Sequence, residues 1–398
     1  MKTLITKIRR KINLNNVLTL CFTFPAMVLR ALGYRIIPVN YRQIGHLICD
    51  PMTQELEDFS DKLNSTKYLI FLNIDEVANK YVLDKLRLKY TVVSNKQLNR
   101  ILEPLKNHPL VSTNSNILKS SKVTPDSLFK RIDLRESGYR FFPVLDKEYT
   151  ERNNLLNSLG IPSDSWYVCL HVRDSKYVPM GVEEQKFTPI NSCRDSTLSN
   201  TFEAVEYIRQ LGGNVIRVGS LVNDPIPHYM NITDYSLSDL RNDKNDYLLL
   251  TGSKFVLGSS SGIMAIAGCQ AIPILACNTV PLGGSKLWGL RDMSLPKLYF
   301  SDSKGRFLHF KEVFGGDIAN FNRCIFFEDN GVRLIENSSD EILQAVIEFT
   351  SNLNGNYFEQ EPDLLYKFNS YFSNKNYSFY STSKISSYWL NKHADLIL

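Results

Sequence analysis

Four groups of side chains in this 398-residue chain have the types and spacing to hold an anion or move a proton. His171-Val172-Arg173-Asp174 follows an apolar run over residues 166–170. Alternation along a strand puts His171 and Arg173 on one side. A guanidinium there can fork onto a diphosphate and offset the charge that grows on a nucleotide leaving group. A second cluster, Arg194-Asp195-Ser196-Thr197, comes after a long loop, and Arg217 and Gly219 close the next apolar run. In the third, Ser259-Ser260-Ser261-Gly262, hydroxyls and a glycine sit between an apolar run and a helical pattern, where free backbone N–H groups bind phosphate. The fourth is His46 beside Gly45; an imidazole titrates near working pH and suits a general base. Asp174, Asp195 and Asp50 compete for that role. Each group also has a plainer reading: Arg173 paired with Asp174 or Asp195 for structure alone, the serine turn as a helix cap, and His46 as a structural histidine.

The elements that must position these groups are legible as alternating patterns. Residues 166–170 read as a buried strand delivering charge at its carboxyl end, the place where open α/β sheets bind ligands. Asn200 and Glu203 predict a capping box for an amphipathic helix that buries Phe202, Val205, Ile208 and Leu211. Gly212-Gly213 ends that helix, and residues 214–219 return as the next strand. Residues 254–258 predict a strand, residues 263–270 a helix of small residues, and residues 272–276 another strand. Pro273 stands at that strand's start, where a missing donor is tolerated. In the first half, residues 67–73 form the clearest strand, followed by helices near 76–88 and 97–105. Alternation of this kind implies parallel sheets with helices on their faces. Periodicity weakens over residues 107–164, so the expected domains are residues 1–160, residues 161–350, and a helical tail over residues 351–398 that packs back across the junction.

Composition excludes several classes. With 43% hydrophobic and 22% charged residues the chain is globular, and a net charge of +5 is too mild and too spread for a nucleic-acid binder. Seven cysteines without CxxC spacing read as reduced core residues of a cytosolic protein. No DxD triplet, GxGxxG or GxxxxGK[ST] run occurs, which argues against metal-dependent transfer, nicotinamide chemistry and P-loop hydrolysis. No metal or cofactor is expected. At the amino terminus Lys2, Lys7, Arg9, Arg10 and Lys11 precede an apolar run over residues 17–29 that contains Pro25 and lacks a small-residue cleavage site. That run is too short to span a bilayer. It reads either as a foot on an anionic inner leaflet or as a helix packed on its own domain.

Taken in order, these motifs resemble those of a bacterial family of surface-polysaccharide glycosyltransferases. The resemblance takes in the His171–Asp174 tetrad, Arg194-Asp195-Ser196 leading into Tyr207-Ile208, Val215–Gly219, and Ser259–Gly262 followed by Pro273 and Pro281. It extends to Ile44-Gly45-His46-Leu47, Glu328–Gly331 and Glu336-Asn337-Ser338, and so spans most of the chain. The His-Val-Arg element is further similar to that of the fucosyltransferase superfamily, in which this arginine contacts a donor diphosphate. The resemblance implies a GT-B architecture, two Rossmann-like domains with parallel sheets facing across a cleft. It implies a nucleoside-diphosphate-sugar donor on the second domain and a glycan or lipid-linked acceptor on the first. Transfer is then metal-independent and inverting, at the cytoplasmic membrane face. Arg173, Arg194, Arg217, His171, Asp195, Gly219 and the serine turn serve the donor, with His46 and Asp174 at the reaction. Cys193 departs from the aromatic residue expected before Arg194, and the loop over residues 177–191 is individual. A polysaccharide pyruvyl transferase, a nucleotide-sugar epimerase or a non-catalytic assembly scaffold are the alternatives on the same fold.

Overall fold

The computed structural model describes residues 14–61, 66–113, 140–174, 192–220, 222, 225–287, 289–356, 362–379 and 381–398. The loop over residues 177–191 and the basic residues 2–11 lie outside these. The protein is α/β and forms two compact units, residues 1–122 and residues 123–398. The division comes earlier than residue 160 because the helix Asp146–Ser158 packs along Asp243–Gly252 of the second unit.

The first unit holds a parallel sheet of β1 (Tyr34–Ile36), β2 (Lys67–Phe71) and β3 (Thr91–Val93), in that order. A parallel bridge from Ile36 to Ser112 extends the other edge. The helix Leu14–Ala31 packs on this sheet through Phe22, Ala26 and Leu29, against Ile36, Leu69, Phe71, Leu105 and Val111. The segment over residues 41–47 opens the helix Ile44–Asp61, so Gly45 lies in a helical first turn.

The second unit is built on β4 (Tyr167–His171), β5 (Asn214–Arg217), β6 (Thr233–Asp234), β7 (Phe255–Ser259), β8 (Ile274–Thr279) and β9 (Met293–Pro296). A smaller sheet at the side, β10 (Leu298–Ser301) with β11 (Arg306–Phe307) and β12 (Val332–Ile335), is antiparallel. The tail contributes β13 (Lys384–Ile385), which adds to the main sheet beside β9. The main sheet runs β13-β9-β8-β7-β4-β5-β6 and every pairing is parallel. Strand order therefore reverses between β4 and β7. The chain winds outward in one direction through β5 and β6 and in the other through β8 and β9, the doubly wound arrangement.

The central strands are continuous apolar runs because both faces are covered, and β7 is buried along its whole length. The helix Ser339–Leu353 covers one face, its start fixed reciprocally: the Ser338 hydroxyl accepts from the Glu341 amide at 3.2 Å and the Glu341 carboxylate from the Ser338 amide at 2.7 Å. Its Phe349 meets Phe255 edge to face at 5.2 Å. Farther along the helix, the buried Glu348 accepts from the Ser387 amide at 2.8 Å and the Ser386 hydroxyl at 2.8 Å. That carboxylate caps the helix Ser387–Lys392. Trp389, Phe368 and Ile397 then bury the tail in the second unit's own core.

Candidate functional site

The reversal between β4 and β7 marks where a ligand crevice opens in a doubly wound sheet, at the carboxyl ends of the diverging strands. Three of the sequence groups are brought to that edge. The backbone N–H of Arg173, just past β4, donates to the Ser259 hydroxyl at the end of β7 at 2.8 Å. Ser259 is buried and spends its oxygen on this tie. The next residues of the turn are accessible, and the amides of Ser260, Ser261 and Gly262 engage no other described group. The following helix, Met264–Gly268, is shorter than the sequence pattern suggests. The turn's own N–H groups, more than a helix dipole, are what it offers an anion.

Arg173 is buried and its guanidinium bonds to Asp195. Asp195 belongs to a turn held by its neighbours. The Ser196 amide donates to the Arg173 carbonyl at 2.9 Å, and Lys297 donates to the Asp195 carbonyl at 2.7 Å. Lys297 also stands 3.9 Å from Glu336, whose carboxylate accepts from the Thr197 amide at 2.8 Å. Burial raises the Asp195 carboxyl to about 6, with the Arg173 charge opposing that rise. Burial lowers the Arg194 guanidinium and the nearby Arg173 charge lowers it further, so two like charges crowd one edge. Burial likewise lowers Lys297. Arg194 and Lys297 are thus gathered beside Arg173 at one edge despite the desolvation that opposes their charges.

His171 ends β4 with its Nδ1 3.1 Å from the Val218 carbonyl. Burial pushes the imidazole down to about 4, so it stays neutral, donates through Nδ1 and keeps a lone pair on Nε2. That Nε2 is sealed from solvent without a partner among the described residues, as is the Ser196 hydroxyl. Gly219 lies over the ring at a φ of 150° that favours glycine, and a Cβ there would stand 3.5 Å from His171 Nδ1. Arg217, on β5, is buried and turned to Asp234 at 3.3 Å. Its role in the geometry is therefore to join β5 to β6. Asp174 follows Arg173 at the same edge, half-buried.

His46 belongs to the first unit. In the first turn of its helix, its Nδ1 is 3.2 Å from the carboxylate of Asp50 one turn on, and Asp50 is buried. The pair has the form of an oriented base: a carboxylate fixes the ring, leaving the other nitrogen for proton transfer.

Sequence patterns did not disclose Lys297, the Glu336 contact, or the pairing of Cys193 with Cys324. Asn200 is also not the predicted cap; a short 3-10 turn, Leu198–Thr201, precedes the helix Phe202–Gln210, and Asn200 donates to the Asn337 carbonyl at 3.2 Å. Asn337 and Asn278 exchange amide-to-side-chain bonds at 2.6 Å each, which explains why Glu336-Asn337-Ser338 sits beside the site. The Cys193 and Cys324 sulfurs are 2.6 Å apart, and the Cys193 amide donates to the Cys324 sulfur at 2.8 Å. The Cys193 thiol and amide lower the Cys324 thiol, while the same thiol contact and burial raise that of Cys193.

No family model matches the chain, and no curated protein matches it by sequence. Solved structures overlap with it weakly. The ADP-heptose LPS heptosyltransferase II of E. coli is similar at a TM-score of 0.37 and 9% identity, over 62% of this chain and 85% of that one. A glycosyl transferase of family 9 from Veillonella parvula gives a TM-score of 0.37 at 10% identity, over 61% and 79%. The E. coli heptosyltransferase WaaC with ADP gives 0.34 at 11% identity, over 66% and 90%. Overlaps this loose carry no argument about the chain's chemistry, which rests on its own strand order and side chains.

Proposed function

We propose that the protein is a glycosyltransferase of GT-B type that moves a sugar from a nucleoside-diphosphate donor to a surface polysaccharide or lipid-linked glycan. The observation that carries this reading is that the segment after β4, with Arg173, and the turn after β7, with the amides of Ser260 to Gly262, leave neighbouring strands at the β4/β7 reversal and are tied by the Arg173 N–H to Ser259 bond. A guanidinium and a run of turn N–H groups carried on adjacent strand ends suit the two phosphates of such a donor. Arg194 and Lys297 add charge around it.

In the reaction the acceptor oxygen bonds to the anomeric carbon on the face opposite the diphosphate. The carbon–oxygen bond to the diphosphate breaks with its electron pair going to the leaving group, and the configuration inverts. The acceptor proton passes to a general base, and His46, its ring oriented by Asp50, has the form of one. Arg173 and the turn amides stabilise the departing charge, the work a metal does in enzymes with a DxD triplet; the chain has none.

Thermal-shift and calorimetric screens against GDP, UDP, ADP and CMP with their common sugars test the reading. One nucleoside-diphosphate sugar is expected to bind, and Arg173→Ala to lower transfer by about 10²-fold or more. Folded Arg173→Ala protein with near-normal transfer refutes the role of Arg173. Binding of phosphoenolpyruvate without any nucleoside diphosphate replaces the reading with pyruvyl transfer, and no binding of any of these ligands leaves a scaffold.

A further inference from the structure

The helix Leu14–Ala31 has two unlike sides. One side is seated in the first unit: Ala26 is fully buried, Phe22 and Leu29 pack on the β1–β2 core, and the Arg30 guanidinium donates to the Leu110 carbonyl at 3.0 Å. The other side carries Leu20, Phe24, Met27 and Val28, spaced three and four apart along one face, with Leu32 just past the helix end. These are 76%, 75%, 56%, 42% and 60% exposed. Scattered exposed apolar residues need no explanation, but four on one face of a helix anchored from behind, with a fifth just past its end, do.

Charge decides what covers them. The first acidic residue in the chain is Asp50; before it come Lys2, Lys7, Arg9, Arg10, Lys11, Arg30, Arg35 and Arg42. Eight cations and no anion over the first 49 residues contrast with a whole-chain excess of five. Two copies of the chain meeting through this face would bring like charges together, whereas an anionic lipid surface attracts them. No described helix is long and apolar enough to cross a membrane. An apolar face with a basic approach lies in the interfacial plane instead.

We infer that the Leu20–Phe24–Met27–Val28 face is a docking surface for an anionic bilayer, pressed into the headgroup boundary while the opposite side of the helix stays in the first unit. The inference does not rest on the proposed reaction, because lipid binding is read without donor or acceptor.

The test is flotation of the full-length protein with vesicles of phosphatidylcholine mixed with phosphatidylglycerol, against vesicles of phosphatidylcholine alone. Wild-type protein is expected to float with the mixed vesicles and at least about fivefold less with the neutral ones. Exchanging Leu20 and Phe24 together for Ser is expected to lower partition by more than about tenfold, with an unchanged melting curve because both side chains already face solvent. The single variant Phe24→Trp, which keeps the face apolar, is expected to shift its indole emission to the blue with the mixed vesicles. Equal partition of wild type and the double variant, or an unshifted emission from Phe24→Trp, overturns the assignment. So does a light-scattering dimer that the double variant dissociates while neither form binds vesicles, which makes the face a contact between copies.

Discussion

Replacing Asp195 by Asn separates donor binding from structure at this site. In the free protein Arg173 is committed to Asp195, whose carboxyl burial holds up at about 6. A diphosphate that draws the guanidinium away weakens the largest influence opposing that rise, ahead of Lys297 and Arg194, and adds negative charge nearby, so the carboxyl rises further on binding. The bound state then holds more protons than the free state above about pH 6, and affinity falls as pH increases through that value and levels off below it. The free-state carboxyl at about 6 sets the ceiling: affinity drops by at most about 30-fold between about pH 5 and about pH 7.5, and binding takes up at most about one proton. The ligand should be a nucleoside-diphosphate sugar, whose diester diphosphate does not itself titrate in this range. Calorimetry in buffers of different ionisation enthalpy reads the proton directly. Asp195→Asn is expected to bind about tenfold more tightly than wild type at pH ~7.5 and to show no pH dependence from ~5 to ~7.5. Wild-type affinity that is flat or rises with pH, or a variant that keeps the wild-type slope, would falsify the competition between carboxylate and diphosphate for Arg173.

Gly258→Ala tests the junction beneath the site: a Cβ there would stand 2.6 Å from the His171 carbonyl oxygen, a backbone atom that cannot move without shifting β4. About 1–3 kcal/mol of destabilisation with weaker donor binding is expected, measured by chemical denaturation, and an unchanged midpoint refutes so close an approach. His46→Gln should lower kcat by about 10²-fold or more with donor affinity unchanged, and Asp50→Asn should lower it less, since Asp50 acts through the ring; wild-type turnover in His46→Gln removes that base. The Cys193 and Cys324 sulfurs, 2.6 Å apart, should exchange with glutathione disulfide, both thiols being oxidised to one bridge while the disulfide is reduced to two glutathione thiols. Peptide mapping under non-reducing conditions should find the cross-linked pair, and full alkylation of both thiols after that treatment contradicts the geometry.

Legibility from sequence followed sequence distance. The run before His171 and the run before Ser259 were readable as strands because a parallel strand covered on both faces is apolar throughout. Their carboxyl ends were readable as a site because polarity begins abruptly there. The helix Ser339–Leu353 carries a local start signal, Ser338 and Glu341 three residues apart, which cap it reciprocally. The antiparallel strands β10 to β12 were missed because proline, glycine and aromatic residues blur alternation over residues 281–300. Gly45 and Pro51, both weak helix formers, are accommodated in one helix whose burial outweighs their propensity.

What no local pattern could supply is the set of partners that decides charge at the edge. Lys297 reaches Asp195 across 102 residues, Glu336 reaches Thr197 across 139, and Cys324 reaches Cys193 across 131. None of these has a periodicity of its own, so only the winding of β9 and β12 back toward the end of β4 brings them together. The consequence bears on the arginines themselves. Two guanidiniums with similar sequence settings, each at the carboxyl end of a buried strand, take different roles because of what faces them. Arg217 meets Asp234, the parallel-register neighbour on β6, and is absorbed into the sheet. Arg173 meets Asp195, a carboxylate on a turn outside the sheet whose charge burial already disfavours. The first pairing is part of the ladder's geometry, whereas the second is the one an incoming anion can exchange, which is why Arg173 and not Arg217 is the residue expected to carry the donor.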